Sequence, residues 1–177
     1  MGFNLTLLLQ ALANVTPFTL LEGFDENVIA KQLTQIEFDY YRRIRPVELQ
    51  SQAWNKKSLM PLSRNVLSLI QRANRVSFWV ATLILFHQKI KDRVRAVTKI
   101  ISIAKHLAEH HNYNTLMGFV AALNTSSISR LKHTFAAKPK KSLDIFKNLQ
   151  LLMDPQGSFK SLREALKSGG KTSLPYL

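Results

Sequence analysis

Apolar residues in the stretch 61–88 recur at the spacing that places them on one side of a helix. Seven of them follow this spacing, namely Val66, Leu69, Ile70, Ala73, Val76, Val80 and Ile84. The opposite side is polar only in the first half, and from Val76 onward apolar residues surround the helix. We therefore predict a central helix over 61–88, with Pro61 in its first turn and its second half buried on every side. The polar side of the first half, around Gln71 and Asn74, is the candidate functional face.

Shorter stretches with the same spacing predict further helices on both sides of the central one. They cover 3–13, 25–45 with Asp25 as N-cap, 46–49, 92–111, 114–123, 143–153 and 159–166, and a loop is predicted over 54–60. No stretch alternates as a strand would, and no internal repeat is present. The expected fold is therefore all-α, a single irregular multi-helix domain around a buried central helix. We divide the chain into an N-terminal helix and linker (1–23) and the domain itself (24–177).

The chain carries a strong excess of positive charge. Its 25 Lys and Arg residues against 11 Asp and Glu give a net charge of +14 in 177 residues. Such an excess indicates an anionic partner, which can be nucleic acid, an acidic protein or anionic lipid, or else a merely solvated surface. The densest basic groups, at 89–95 and 138–141, contain few aromatic residues for base stacking, so nucleic acid ranks last. The absence of cysteine excludes disulfides, zinc–thiolate sites and cysteine nucleophiles.

Residues suited to covalent chemistry do not stand in any recognisable motif. His106 and His110 are one helical turn apart, but no third metal ligand is evident, and we interpret them as a solvent-facing helix end. Acidic residues are scarce, and we interpret Glu37 and Asp39 as surface charges. We therefore predict no catalytic residue, no metal site and no cofactor.

An ordered set of short motifs runs from the first helix of the domain to the C-terminal residues. It comprises 30–34 (AKQLT), 44–49 (IRPVEL), Trp54, Asn65, Asn74, Trp79, 112–114 (NYN), 123–124 (LN), 130–131 (RL) and 173–177 (SLPYL). In order and spacing the set resembles the catalytic domain of Ras-family guanine-nucleotide exchange factors over about 24–177. Arg64 departs from the family, which usually has proline there. The resemblance implies an all-helical domain that binds the switch regions of a Ras-like small GTPase and stabilises its nucleotide-free form, without covalent chemistry.

The resemblance also implies where the GTPase binds. The family's pocket for a switch-II tyrosine of the GTPase falls on Ile70, Met117, Phe159 and Tyr176. Further GTPase contacts fall on Trp54, Leu69, Gln71, Asn74, Leu123, Asn124, Ser129 and Ser158. The residues themselves leave an alternative open, because apolar side chains at helical spacing usually belong to the core.

One departure concerns the C-terminal end. In the family, the segment matching 174–177 leads to a helical hairpin that opens the nucleotide site, and the sequence stops before that hairpin, so we expect slow or no exchange. Three functions stay open: an exchange factor, a GTPase-binding or structural module without exchange, and a binder of nucleic acid or an anionic membrane surface. The expected location is cytoplasmic, with a peripheral location at a membrane left open.

Overall fold

A computed structural model describes residues 22–168 and 173–176, and helices dominate the first of these ranges. The α-helices are α1 (Glu26–Tyr41), α2 (Arg64–Leu85), α3 (Ile90–Glu109), α4 (Tyr113–Asn124), α5 (Ser126–Ser129), α6 (Lys132–Ala136), α7 (Lys140–Leu152) and α8 (Gln156–Ser168). Two 3₁₀ segments, Pro46–Asn55 and Met60–Ser63, precede α2. The all-α prediction is confirmed, and the helix predicted over 3–13 lies outside the described residues.

The core forms where α2, α3 and α4 meet. α2 packs mainly against α4, while α3 packs most extensively against α1 and also against α4 and α7. The largest fully buried apolar side chains are those of Phe119, Leu69, Ile84, Ile100, Ile101, Ile103, Leu107, Leu116, Leu123 and Ile128. Burial of this apolar surface is the main favourable contribution to folding. The core therefore fixes the relative positions of α2 and α4, two of the elements on which the candidate site is built.

The prediction that the second half of α2 is buried on every side is wrong. Phe78 is 74% exposed, and Leu85 and Phe86 are also largely accessible. On its other side, α2 buries Val76, Val80 and Ile84 in the hydrophobic core. An apolar pattern states which side chains favour burial, but the number of neighbouring elements decides how many sides of the helix are covered.

The predicted start of the central helix also needs correction. α2 begins at Arg64, and Pro61 lies in the 3₁₀ segment Met60–Ser63 before it. Proline suits the first turn of either helix type, because its fixed φ fits both and its missing N–H has no partner there. The spacing of apolar residues could therefore not separate the two segments. The N-cap predicted at Asp25 is confirmed, since its side chain accepts hydrogen bonds from the backbone N–H groups of Asn27 and Val28.

A buried carboxylate from the first 3₁₀ segment caps α2. Glu48 is fully buried, and its Oε2 accepts a 2.8 Å hydrogen bond from the Asn65 backbone N–H and a 3.4 Å bond from that of Val66. Its Oε1 accepts from the Asn65 side chain at 2.6 Å and from the Arg45 backbone N–H at 3.3 Å. Burial alone would raise the pKa of Glu48, but these hydrogen bonds lower it to about 2. Glu48 thus supplies negative charge to the positive end of the central helix.

A second buried carboxylate joins three helices, which corrects the interpretation of Glu37 as a surface charge. Glu37 on α1 is 1% exposed. Its oxygens accept hydrogen bonds from Arg72 Nε on α2 at 2.7 Å, and from Asn114 Nδ2 and Thr115 Oγ1 on α4 at 2.5 and 3.1 Å. Asp39 is only half-buried and pairs with the exposed Arg42, as a surface charge does. The amino-acid type alone does not distinguish the two, because burial depends on which side of α1 faces α2 and α4.

One buried cation lies between α6 and α7. Lys138 is 5% exposed, and its Nζ lies 3.8 Å from the ring centroid of Phe135 and 5.5 Å from that of Phe146. Nζ has no hydrogen-bond partner among the described residues. Burial lowers the pKa of Lys138 to about 8. The two rings therefore replace only part of the hydration that the ammonium group loses.

Replacing Lys138 with methionine should raise the free energy of unfolding by about 1–2 kcal/mol at pH 7. The lowered pKa corresponds to a penalty of roughly 3 kcal/mol on the charged form, of which the cation–π contacts offset about 1–2 kcal/mol. Above pH 8 Lys138 loses its ammonium proton in the folded wild type, while the unfolded chain keeps it. Wild-type stability therefore rises, and the stability difference between Lys138→Met and the wild type narrows. Urea unfolding at pH 7 and pH 9.5 measures both effects.

The matched control for this prediction is Lys140→Met, because Lys140 is a nearby exposed lysine. We expect the control to change stability by less than about 0.5 kcal/mol. A Lys138→Met variant less stable than the wild type at pH 7 would show that the aromatic contacts outweigh the cost of burying the charge.

Candidate functional site

The four residues assigned to the tyrosine pocket come from four separate elements. Ile70 lies on α2, Met117 on α4, Phe159 near the start of α8 and Tyr176 in the C-terminal segment. Ile70, Met117 and Phe159 are half-buried, and Tyr176 is 38% exposed. None of the four is a fully buried core residue, and all four keep part of their surface accessible.

Close packing of α2 and α4 determines the positions of Ile70 and Met117. Gly118 makes the close approach possible, because a Cβ atom at this position would lie 3.1 Å from the Ala73 carbonyl oxygen and 3.3 Å from Val76 Cγ1. Contacts this short are tighter than side chains normally tolerate. The glycine therefore lets α4 approach α2 closely. The contact on α4 lies next to Met117, and the contacted Ala73 on α2 lies three residues after Ile70.

The C-terminal segment is held beside the start of α4 by backbone hydrogen bonds. The Leu174 N–H donates to the His111 carbonyl, and the Tyr113 N–H donates to the Leu174 carbonyl, both at 2.9 Å. Two residues further on, the ring of Tyr176 lies 5.6 Å from that of Phe159, with an interplanar angle of 57°. This tilted arrangement is one that aromatic pairs favour. The structure thus brings Phe159 and Tyr176 into contact, while a common pocket that includes Ile70 and Met117 stays a prediction.

Phe159 lies in a turn of unusual backbone geometry. Gly157, Ser158 and Phe159 have φ values of 59°, 56° and 58°, all in the left-handed region. This region is unfavourable for residues with a Cβ atom, and such strain is concentrated at functional sites. The guanidinium of Arg163 donates to the carbonyls of Ser158 and, at 3.2 Å, of Gly157. Arg163 therefore holds the turn in the conformation that directs Phe159 towards Tyr176.

Most of the other predicted contact residues are accessible. Gln71 and Asn74 are exposed and lie three residues apart on α2, so they share its outward side. Asn124, Ser129 and Ser158 are exposed as well, and Trp54 is half-buried at the end of the first 3₁₀ segment. The polar side chains assigned by the resemblance are thus available to a docked protein.

Leu69 and Leu123 are different, because each is only 1% exposed. Both belong among the largest fully buried side chains. A docked protein cannot reach either side chain in this conformation. Their assignment as GTPase contacts stays a prediction, while the adjacent Ile70 and Asn124 keep accessible surface.

Asn124 opens onto a cavity of about 480 Å³ between α4 and α7. Its walls include Val120, Gln150 and Leu151, and the Gln150 side-chain amide donates a 2.7 Å hydrogen bond to Asn124 Oδ1. Asn124 follows from the resemblance through the motif 123–124, but neither of the α7 residues does. No local signal marks Gln150 or Leu151, because only the packing of α7 brings them to Asn124.

Comparison with known proteins places these features in a family. The sequence profile of the RasGEF domain matches residues 28–177. The chain belongs to the RasGEF domain family. Ras guanine nucleotide exchange factor A of Dictyostelium discoideum is 46% identical over 153 residues, which is 86% of this chain and 25% of that protein. Factor R of the same organism is 44% identical over 162 residues, 92% of this chain and 9% of that protein.

The chain spans a quarter or less of the length of these curated relatives. The RasGEF motifs fall at structurally informative places in this chain. Glu48 in the motif 44–49 caps α2, and Leu174 in the motif 173–177 pairs with the start of α4. Residues of these two motifs thus bond to α2 and to the start of α4, two elements that carry residues of the candidate site.

Proposed function

We propose that this RasGEF domain binds a Ras-like small GTPase and promotes GDP release by stabilising the nucleotide-free form. The observation that carries the proposal is the RasGEF match over residues 28–177. The names of the relatives, Ras guanine nucleotide exchange factors A and R, support the same activity and the same class of partner.

The geometry of the site supports a protein partner. The exposed polar side chains of Gln71 and Asn74 lie on α2, which also carries Ile70, while Phe159 and Tyr176 form an aromatic pair with accessible surface. Aromatic and apolar anchors surrounded by polar residues are typical of protein interfaces. In the proposal, Ile70, Met117, Phe159 and Tyr176 receive an aromatic side chain from switch II of the GTPase.

Exchange by this route is a matter of differential binding. A domain that binds the empty GTPase more tightly than the GDP-bound form weakens GDP binding by the same factor, because the two equilibria are linked. No bond is made or broken in the GTPase or in the domain. The proposal therefore requires a complementary surface but no catalytic acid, base or metal ion.

A charge placed in the pocket should abolish most of the GTPase binding. We expect Met117→Glu or Tyr176→Glu to weaken binding to a nucleotide-free Ras-like GTPase by roughly tenfold to a hundredfold, as the loss of an apolar anchor does. Binding is measured by calorimetry against a panel of nucleotide-free Ras, Rap and Ral proteins. Release of fluorescent GDP from the same panel then tests exchange.

Two variants serve as controls. Phe24→Glu makes a comparable change at an aromatic residue that is 57% exposed at the other end of the described chain, and Lys140→Glu changes a charge on α7. Both should bind within about threefold of the wild type. Failure of the folded wild type to bind any GTPase of the panel would contradict the proposal. Binding without faster GDP release would instead favour a GTPase-binding module.

A further inference from the structure

The connection between α2 and α3 exposes apolar side chains among lysines. Phe86 is 56% exposed and Ile90 is 44% exposed. Lys89 and Lys91, on either side of Ile90, are exposed too. We call residues 85–91 the apical loop. Its exposed surface thus combines apolar groups that avoid water with positive charge.

The apical loop is held in place by one arginine. Arg93 Nη1 donates to the carbonyls of His87 and Gln88, both at 2.8 Å. Its Nε donates to Thr134 Oγ1 on α6 at 3.3 Å. These bonds fix the backbone of the loop relative to α6, so Phe86 and Ile90 stay exposed instead of folding back onto the protein.

A basic cleft adjoins the apical loop. This cavity of about 250 Å³ is lined by Ile90, Arg93, Arg130, Leu131, Lys132, His133 and Thr134. The lining includes three positively charged side chains and the imidazole of His133, but no carboxylate. Within residues 22–168 and 173–176, none of the four forms an ion pair with an acidic residue. The acidic residue in the adjoining first turn of α3 is Asp92.

We propose that the apical loop and the basic cleft bind the surface of a bilayer containing anionic phospholipid. The cleft receives a headgroup phosphate, to which Arg93, Arg130 and Lys132 offer charge-assisted hydrogen bonds. Phe86 and Ile90 enter the boundary between headgroups and acyl chains, while Lys89 and Lys91 lie at the level of the anionic headgroups.

The neighbouring apolar groups favour a lipid over other anions. A soluble phosphate would occupy the cleft but would make no use of Phe86 and Ile90. Nucleic acid requires aromatic platforms on which successive bases stack, and beside Phe86 this surface presents the aliphatic side chains of Ile90 and Leu131. No helix in the described ranges is long and apolar enough to cross a membrane.

The proposed lipid contact lies away from the Gln71 part of the GTPase-binding face, whereas Ser129, another assigned GTPase contact, adjoins Arg130 of the basic cleft. Gln71 and Phe86 are 15 positions apart along α2 and its C-cap, which corresponds to about 22 Å at the rise of an α-helix. Gln71 and Phe86 are therefore well separated along the same helix.

The test is binding of the whole chain to vesicles. Vesicles of phosphatidylcholine with about a fifth phosphatidylserine are compared with pure phosphatidylcholine by co-sedimentation, at low and physiological salt. We expect binding only to the anionic vesicles. The double variant Lys89→Gln/Lys91→Gln should bind about 25-fold more weakly, since each lysine near an anionic surface contributes about fivefold. Phe86→Ser and Lys132→Gln should each weaken binding at least about threefold.

Matched controls change the same residue types elsewhere on the surface. Lys56→Gln/Lys57→Gln removes two adjacent exposed lysines, and Leu62→Ser removes an apolar side chain that is 59% exposed. These variants should bind vesicles within about twofold of the wild type. All variants are checked for native helix content by circular dichroism, which the exposed positions should preserve.

Three results would overturn the proposal. The first is absence of binding to anionic vesicles, and the second is an equal loss of binding in the controls, which would indicate unlocalised charge attraction. The third is competition by millimolar inorganic phosphate together with an unchanged Phe86→Ser variant, which would indicate a site for soluble phosphate.

Discussion

Replacing Glu37 with alanine is expected to lower the free energy of unfolding by about 3–5 kcal/mol. The substitution removes the acceptor for Arg72 Nε, Asn114 Nδ2 and Thr115 Oγ1 at once. The side chain of Arg72 is only 16% exposed and would keep its charge without a carboxylate partner. Loss of one member of a buried ion pair is among the largest effects of a single substitution. Urea unfolding followed by circular dichroism at pH 7 measures the change.

The control for this substitution lies two residues away on the same helix. Asp39→Ala removes the partner of Arg42, whose side chain is 61% exposed, so we expect a change of less than about 1 kcal/mol. A Glu37→Ala variant as stable as Asp39→Ala would show that the polar contacts between α1, α2 and α4 contribute little. It would also remove the reason to regard Glu37 as the residue that joins these helices.

The second large effect is expected at Glu48. Replacement by glutamine keeps the size of the side chain but removes the charge, and we expect a loss of about 3 kcal/mol at pH 7. The value follows from the lowering of the Glu48 pKa from its ordinary 4.5 to about 2, which makes the ionised form more favourable in the folded state. Glutamine also presents N–H groups to the Asn65 backbone N–H, where an acceptor is required.

The pH dependence of stability separates this charge effect from packing. Because the pKa of Glu48 is lowered on folding, its contribution is complete above the ordinary pKa and is lost as the pH falls from 4.5 towards 2. The difference between the wild type and Glu48→Gln should therefore shrink by roughly 2 kcal/mol between pH 7 and pH 3. A difference that is equal at both pH values would mean that shape, not charge, makes Glu48 important. Glu109→Gln, at a half-exposed carboxylate, is the control and should change stability by less than about 1 kcal/mol.

Periodicity located the long helices of this RasGEF domain well and their ends less well. The predicted helices over 25–45, 61–88 and 92–111 correspond to α1, α2 and α3. The ends shift because hydrogen bonds outside the helix decide them. α2 begins at Arg64 where Glu48 receives the first backbone N–H groups, and Glu48 is 17 residues from the bonded Asn65.

The ordered motifs identified residues of the candidate site, but they did not show how these residues are arranged in space. Phe159 and Tyr176 are 17 residues apart, and their contact depends on the left-handed turn at 157–159 and on the pairing of Leu174 with His111 and Tyr113. The prediction treated Leu69 and Ile70 alike as GTPase contacts. Adjacent residues on a helix point about 100° apart, and only Ile70 retains accessible surface.

The amino-acid sequence by itself determined the all-helical class, the position of the central helix and, through the ordered motifs, the family. These properties depend on local periodicity and on residue order, both of which are present in a linear chain. Only the tertiary structure decided that Glu37 and Glu48 are buried, that Phe78 and Phe86 are exposed, and that Ile90 adjoins a basic cleft. Each of these depends on which elements pack against which side of a helix, and that choice is made by contacts between residues distant in sequence.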